Sequence, residues 1–236
     1  MSIIRQPFRY TNFNFVYWLI GINIFVYVLM MLFGDKPVSS LDISDLEITN
    51  RYGQVYTEVN MTLSNMLAMM PQAVIKNGAV WTFITYMFMH AGVSHILFNM
   101  LGLFIFGVHV ERQMGSKEFL LYYLVTGALA GVLSFIVYVL SGSMIVSLVG
   151  ASGALYAVMI AYAILYPSSV IYIWGILPLR APIMVLGYTV LSIFFVITGG
   201  GGNVAHLTHL GGFIFGWLYF VIRFGINPWK RLTNRY

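Results

Sequence analysis

The chain has 236 residues, 60% of them hydrophobic and only 8% charged, with a formal net charge of +5. A soluble domain carries roughly 25% charged residues, so the composition excludes an ordinary soluble fold and places the chain in a lipid bilayer. The absence of cysteine excludes a disulfide framework, a thiolate nucleophile and thiolate metal ligands, leaving chemistry to Ser, Thr, His, Asp or Glu.

In chain order, the run 13–33 follows Arg5 and Arg9 and is long enough to span. No small-residue cleavage site follows it, so it is expected to be retained as the first helix. Residues 34–91 form a long outer loop that carries five of the seven acidic residues, Asp35, Asp42, Asp45, Glu47 and Glu58. The far end of that loop, 79–90, turns apolar, and we place it in the interface with Trp81 and Tyr86 at headgroup level. Further spans are expected over 92–110, 119–140, 146–166, 183–198 and 206–224. A charged turn from Glu111 to Glu118 separates the second and third, and Pro167 ends the fourth. The stretch 170–182 is broken by Gly175, Pro178, Arg180 and Pro182 and belongs at the surface. Gly199–Gly202 make a flexible connection. The expectation is an all-α polytopic membrane protein, one bundle of six transmembrane helices covering 1–236.

Lys and Arg sit at the ends of these runs and form no patch or arm, so the positive balance reads as topology and no nucleic-acid partner is expected. With both termini cytoplasmic, nine of the twelve basic residues lie inside: Arg5, Arg9, Arg112, Lys117, Arg180, Arg223, Lys230, Arg231 and Arg235. Lys36, Arg51 and Lys76 lie outside. Helices two, four and six then all enter from the outer face. That brings His90, His95, Ser152, His206 and His209 toward one side of the membrane.

Ionisable residues inside a bilayer are functional candidates by default. Ser152 stands in Gly150-Ala151-Ser152-Gly153, a pattern that serves helix packing equally well, because small residues let membrane helices approach. His209 changes the balance, since an imidazole at the outer end of another span is the base a serine needs to become a nucleophile. Gly212 and Gly216, at small-xxx-small spacing after it, would bring that helix close. No acid is available to complete a triad: the last Asp is Asp45, and Glu111 and Glu118 lie at the opposite face. A Ser-His dyad is therefore expected, with Tyr156, one turn after Ser152, as the ring that holds the imidazole. His95 and Asn99 share a helix face and suit an oxyanion hole together with the Ser152 amide; the bland alternative is a pair that satisfies its own hydrogen bonds. His90 is expected to be structural, tethering the loop. His206 is read as a residue of the mouth, and His109 as interfacial. A rival reading makes His90, His95, His206 and His209 a metal cluster, but no carboxylate joins them and the serine is left unexplained. We expect no metal and no cofactor.

These segments resemble the rhomboid family of intramembrane serine proteases. The resemblance runs from Trp81 onward through His90-Ala-Gly-Val-Ser-His95-Ile-Leu-Phe-Asn99, Glu111-Arg112, Gly115-Ser116, Gly150-Ala-Ser152-Gly153 and Ala205-His206-Leu-Thr-His209-Leu-Gly-Gly212 with Gly216. It implies Ser152 as nucleophile, His209 as base, His95, Asn99 and the Ser152 amide as oxyanion donors, and Tyr156 packed on the base. It also implies transmembrane protein substrates, which we expect to be cut near the outer face of the plasma membrane; the glycine run before the sixth helix and the helix beside it are expected to act as a gate, since glycine restricts the backbone little. One departure stands out: Thr82 follows Trp81 where rhomboids often have Arg. Catalytically inactive relatives, which bind or traffic membrane proteins, lack the serine or the histidine; both are present here.

Overall fold

The computed structural model describes residues 7–46, 57–173, 175–198 and 203–233. Gly199–Gly202, Arg51 and Arg235 lie outside the described residues. Helix α1 (Phe15–Phe33) leads into the antiparallel pair β1 (Pro37–Asp42) and β2 (Glu58–Thr62). Short helices α2 (Leu63–Leu67), α3 (Pro71–Asn77) and α4 (Thr82–Thr85) return the chain to the bundle. Helix α5 (Val93–Gly102) passes through a π-helical turn, Leu103–Gly107, into α6 (Val108–Met114), one run of 22 residues. Then come α7 (Ser116–Leu140), α8 (Ser152–Leu165), the hairpin β3 (Val170–Ile173) with β4 (Leu177–Arg180), and α9 (Ala181–Thr198). Helix α10 (Asn203–Tyr219) continues into a π-helical turn, Phe220–Phe224, and α11 (Pro228–Leu232) follows.

Among the described residues, five helical runs are long and apolar enough to cross a membrane. The protein is an integral, mainly helical membrane protein. The remaining core helix, α8, differs from its expected span of 146–166: it has 14 residues, about 21 Å at 1.5 Å per residue, against a hydrocarbon core of about 30 Å. Its C-terminal end falls before Pro167 as expected. Its N-terminal end comes six residues late because the chain from Val146 is extended and paired. Leu148 exchanges backbone hydrogen bonds with Met69 (3.1 and 2.8 Å), and the Gly150 amide donates to the Tyr86 carbonyl (2.9 Å). Gly150 has φ of +122°, which an L side chain rarely adopts. Ser152 therefore begins a short helix instead of sitting nearly two turns inside a long one.

Helix α8 is the hub of the bundle. Ala154, Ala157 and Ala161 have no exposed surface, and the small side chains let α10 come very near. A Cβ at Gly212 would stand 2.1 Å from the Gly153 carbonyl oxygen, and one at Gly216 would stand 2.6 Å from Ile160 Cγ2. Dense packing of small residues is what holds membrane helices together where lipid is as apolar as the side chains.

Two other expectations are corrected. The segment from Glu111 to Glu118 is not a solvent-exposed charged turn: only Gly115 separates α6 from α7, and Glu111 and Glu118 are 4% and 1% exposed. The reason is visible at the start of α1. Asn14 offers that helix no side-chain cap, so the orphan amides of Phe15 and Val16 donate to the Glu111 carboxylate at 2.6 and 2.9 Å. Ser116 Oγ donates to the same carboxylate and accepts from the Phe13 amide at 2.7 Å. Glu118 receives Arg223 Nε (2.8 Å) and Nη2 (3.0 Å), the Tyr219 hydroxyl (2.5 Å) and the Phe8 amide (3.1 Å). The second correction concerns 79–90. Trp81 is exposed, with Nε1 donating to the Met66 carbonyl at 3.0 Å, whereas Tyr86 is fully buried and donates to the Gly127 carbonyl at 2.7 Å. The segment enters the bundle instead of lying at headgroup level, because Gly131 leaves a notch that a Cβ would close to 2.7 Å from the Tyr86 ring.

Candidate active site

A cavity of about 650 Å³ opens where α5, α8, α9 and α10 meet, and its lining includes His95, Asn99, Gly150, Ser152, Tyr156 and His209. The three helices predicted to carry the chemistry thus converge on one space. Ser152 is the first residue of α8, so its own amide is one of the helix's orphan N–H groups. The aligned peptide dipoles behind it favour negative charge at that spot. The turn before it, at Gly150, is held to Tyr86 by a backbone hydrogen bond. A Cβ on Gly150 would collide with the His95 ring, 2.7 Å from both Cε1 and Nε2. Glycine is required there by backbone conformation and by this imidazole.

His95 is orientated by its own helix start. The Ala91 amide reaches Nδ1 at 3.4 Å, the long end of a hydrogen bond. An acceptor role for Nδ1 leaves the proton of the neutral ring on Nε2, the nitrogen beside Gly150. The Asn99 side-chain amide donates to the His95 carbonyl at 2.9 Å. One of its two hydrogens is engaged in that bond, which leaves the other to spare on a residue that lines the cavity.

The His209 ring lies flat against Tyr156, centroids 4.0 Å apart and planes inclined by 9°. Its Nδ1 is buried and bonded to no described residue, in keeping with the lack of a third acidic member. The stack with Tyr156 instead fixes the plane of the imidazole. His206 meets His209 edge-on at 5.8 Å and stacks on Phe195 of α9 at 4.6 Å, so it bridges α9 to the His209 ring at the mouth. His90 packs edge-on to His95, centroids 5.1 Å apart. Its ring thus packs against the His95 ring from the segment that precedes α5. His109 lies at the far end, its Nδ1 2.9 Å from the Ile105 carbonyl and its ring edge-on to Tyr162. Gly153, Gly212 and Gly216 make the α8–α10 crossing described above. The four histidines near the cavity form two pairs, and among the described residues no three metal-ligating side chains converge.

Sequence reasoning missed two supports. Tyr86 ties the turn before Ser152 to α7 through its carbonyl and its hydroxyl. Thr208, one residue before His209, is buried and bonded to Ser134 of α7 at 2.7 Å, and its methyl would meet a Cβ on Gly153 at 2.9 Å. The available signal was Gly127 and Gly131, four apart on α7, a spacing that marks a close approach.

Comparison with known proteins bears on the same segments. The Rhomboid domain model matches residues 77–226, a stretch that contains every cavity-lining residue named here. RHOMBOID-like protein 12, mitochondrial, of Arabidopsis thaliana is 33% identical over 153 residues, 58% of this chain and 44% of its own length. YdcA of Bacillus subtilis is 32% identical over 147 residues, 61% of this chain and 69% of its own length. Rhomboid protease GluP of Bacillus subtilis is 28% identical, and the match covers 61% of this chain but 26% of that protein. The chain thus spans less than half the length of the first and third of these relatives. With the match covering well over half of the chain and running from the last residue of α3 to just past the π-helical turn that follows α10, this chain belongs to the rhomboid family.

Proposed function

We propose that this protein is an intramembrane serine endopeptidase that cuts membrane-anchored proteins. The observation that carries the reading is the single cavity shared by Ser152, His209, His95 and Asn99, with the His209 ring held flat on Tyr156. His209 takes the Ser152 hydroxyl proton as the serine oxygen attacks the scissile carbonyl. The carbonyl oxygen becomes an oxyanion facing the Ser152 amide, His95 Nε2–H and the second hydrogen of the Asn99 amide. Collapse of the tetrahedral intermediate expels the amine, protonated by His209, and leaves an acyl-enzyme. Water, deprotonated by the same imidazole, then releases the carboxylate and restores Ser152. No carboxylate is needed to orient the base, because ring stacking performs that task.

Helix α8 is too short to span, so a serine at its N-terminal end lies below the membrane surface. With the termini cytoplasmic, as the distribution of Lys and Arg favours, the cavity faces the outer leaflet of a plasma membrane. Met184 and Tyr188 of α9 line one wall, which makes that helix the side from which a substrate segment enters. The test is cleavage of a fluorogenic transmembrane peptide by purified protein in liposomes. Ser152→Ala and His209→Ala are each expected to abolish it, and labelling of Ser152 by a fluorophosphonate should vanish with His209→Ala. Proteolysis that survives either substitution sinks the dyad. Partner binding without any proteolysis would instead assign the chain to the inactive relatives.

A further inference from the structure

Ser152 and His209 stand on two different helices, and the residues next to them in the chain touch. Gly153 follows Ser152 on α8, and Thr208 precedes His209 on α10. A Cβ on Gly153 would stand 2.9 Å from the Thr208 methyl carbon, so glycine at that position lets the threonine seat against α8. Thr208 is 1% exposed, and its hydroxyl meets a third helix: Oγ1 lies 2.7 Å from Ser134 Oγ of α7. A serine hydroxyl has one proton, and that of Ser134 goes to the Ala130 carbonyl at 3.0 Å. Thr208 is therefore the donor in the pair. The Tyr138 hydroxyl, one turn further along α7, bonds to the same two side chains and is left to donate its proton into them. Three hydroxyls thus form a directed chain that ends on a backbone carbonyl, and such chains reinforce themselves in apolar surroundings.

This cluster supplies a constraint that the His209 ring otherwise lacks. Stacking on Tyr156 sets the tilt of the imidazole, but a flat contact resists sliding within its own plane only weakly. Nδ1 of His209, the atom that the acid of a triad would hold, bonds to no described residue. Neighbouring residues of one helix move together when that helix turns or shifts along its axis. Fixing Thr208 between α7 and α8 therefore fixes the height and rotation of His209 beside the first residue of α8.

Resting on the protease reading above, we propose that Thr208 is a positioning residue for the reaction. Its methyl on Gly153 and its hydroxyl in the Ser134–Tyr138 cluster set the register of α10 against α8, and with it the approach of His209 to Ser152.

The test is steady-state cleavage of the transmembrane peptide in liposomes, corrected for the folded fraction. Thr208→Val keeps the methyl and removes the hydroxyl; it should lower kcat about tenfold with KM little changed, and slow fluorophosphonate labelling of Ser152 in step. Thr208→Ser keeps the hydroxyl and should recover most of that loss. Ser134→Ala breaks the same chain from α7, and the double variant with Thr208→Val should fall no further than either single one. The NMR resonances of the His209 imidazole in the full chain should shift with Thr208→Val, a readout that needs no cleavage. A lower unfolding midpoint with kcat, labelling and imidazole resonances unchanged would reduce Thr208 to packing and overturn the proposal, as would additive losses in the double variant. If the unaltered chain neither cleaves nor labels, the protease reading fails by itself, and the imidazole resonances decide: a shift upholds the positioning of His209 by Thr208, and unchanged resonances overturn it.

Discussion

The two ends of the bundle treat buried polar groups in opposite ways. At the end where α1 begins, Glu111 and Glu118 are almost fully buried, and their carboxylates are saturated by backbone amides, a serine, a tyrosine and an arginine. At the cavity end, His90, His206 and His209 keep buried ring nitrogens that bond to no described residue, and Asn99 holds one amide hydrogen in reserve. Buried polar groups without partners are costly. A structure that saturates its buried carboxylates at one end and leaves imidazole nitrogens open at the other separates the fastening of helices from the chemistry proposed for the cavity.

The sharpest way to break this comparison is at the cavity. Ser152→Ala or His209→Ala should remove peptide cleavage altogether while the thermal unfolding midpoint stays close to that of the unaltered protein. At the opposite end the effects should invert. Glu118→Ala leaves Arg223 without its buried partner and should cost about 3 kcal/mol of stability, read by chemical or thermal unfolding in detergent, with residual activity in the molecules that remain folded. Returning to the cavity, Asn99→Ala removes one oxyanion donor and should lower kcat by roughly a hundredfold, or about 3 kcal/mol of transition-state stabilisation; an unchanged kcat would assign the side chain to its His95 carbonyl bond alone. Tyr156→Ala removes the ring that faces His209. A stack of this kind is worth about 1 kcal/mol, so a several-fold fall in kcat with little change in KM is expected. The smallest effect belongs to metal removal: dialysis against a chelator should leave cleavage unchanged. Loss of activity restored by zinc would revive the histidine-cluster reading.

Much of the cavity was legible in the sequence because its residues obey rules local to one helix. His95 and Asn99 share a face at four-residue spacing, Ser152 and Tyr156 do likewise, and Gly212 and Gly216 mark a close crossing. Positive-inside counting then brought these helices to a common side without any knowledge of contacts. The start of α8 was hidden for a matching reason. Residues 146–150 are apolar enough to continue a span, and only the pairing of Leu148 with Met69 and of Gly150 with Tyr86, nearly 80 and 64 positions earlier, keeps them out of the helix. The burial of Glu111 and Glu118 was hidden as well, since a charged pair between two apolar runs reads as a turn until its distant partners, Phe15, Val16 and Arg223, are in place.

The amino-acid sequence by itself determined the membrane setting, the order of the apolar runs, and which serine and histidine would share one side of the bundle. Those properties follow from apolar run length, from proline and glycine punctuation and from the spacing of polar residues within single helices. Only the tertiary structure decided that α8 is too short to span, that Ser152 opens it with a free amide, and that two glutamates bind the opposite end together. Each of these depends on atoms brought together from distant parts of the chain, and contacts of that kind leave no periodic signature in the order of the residues.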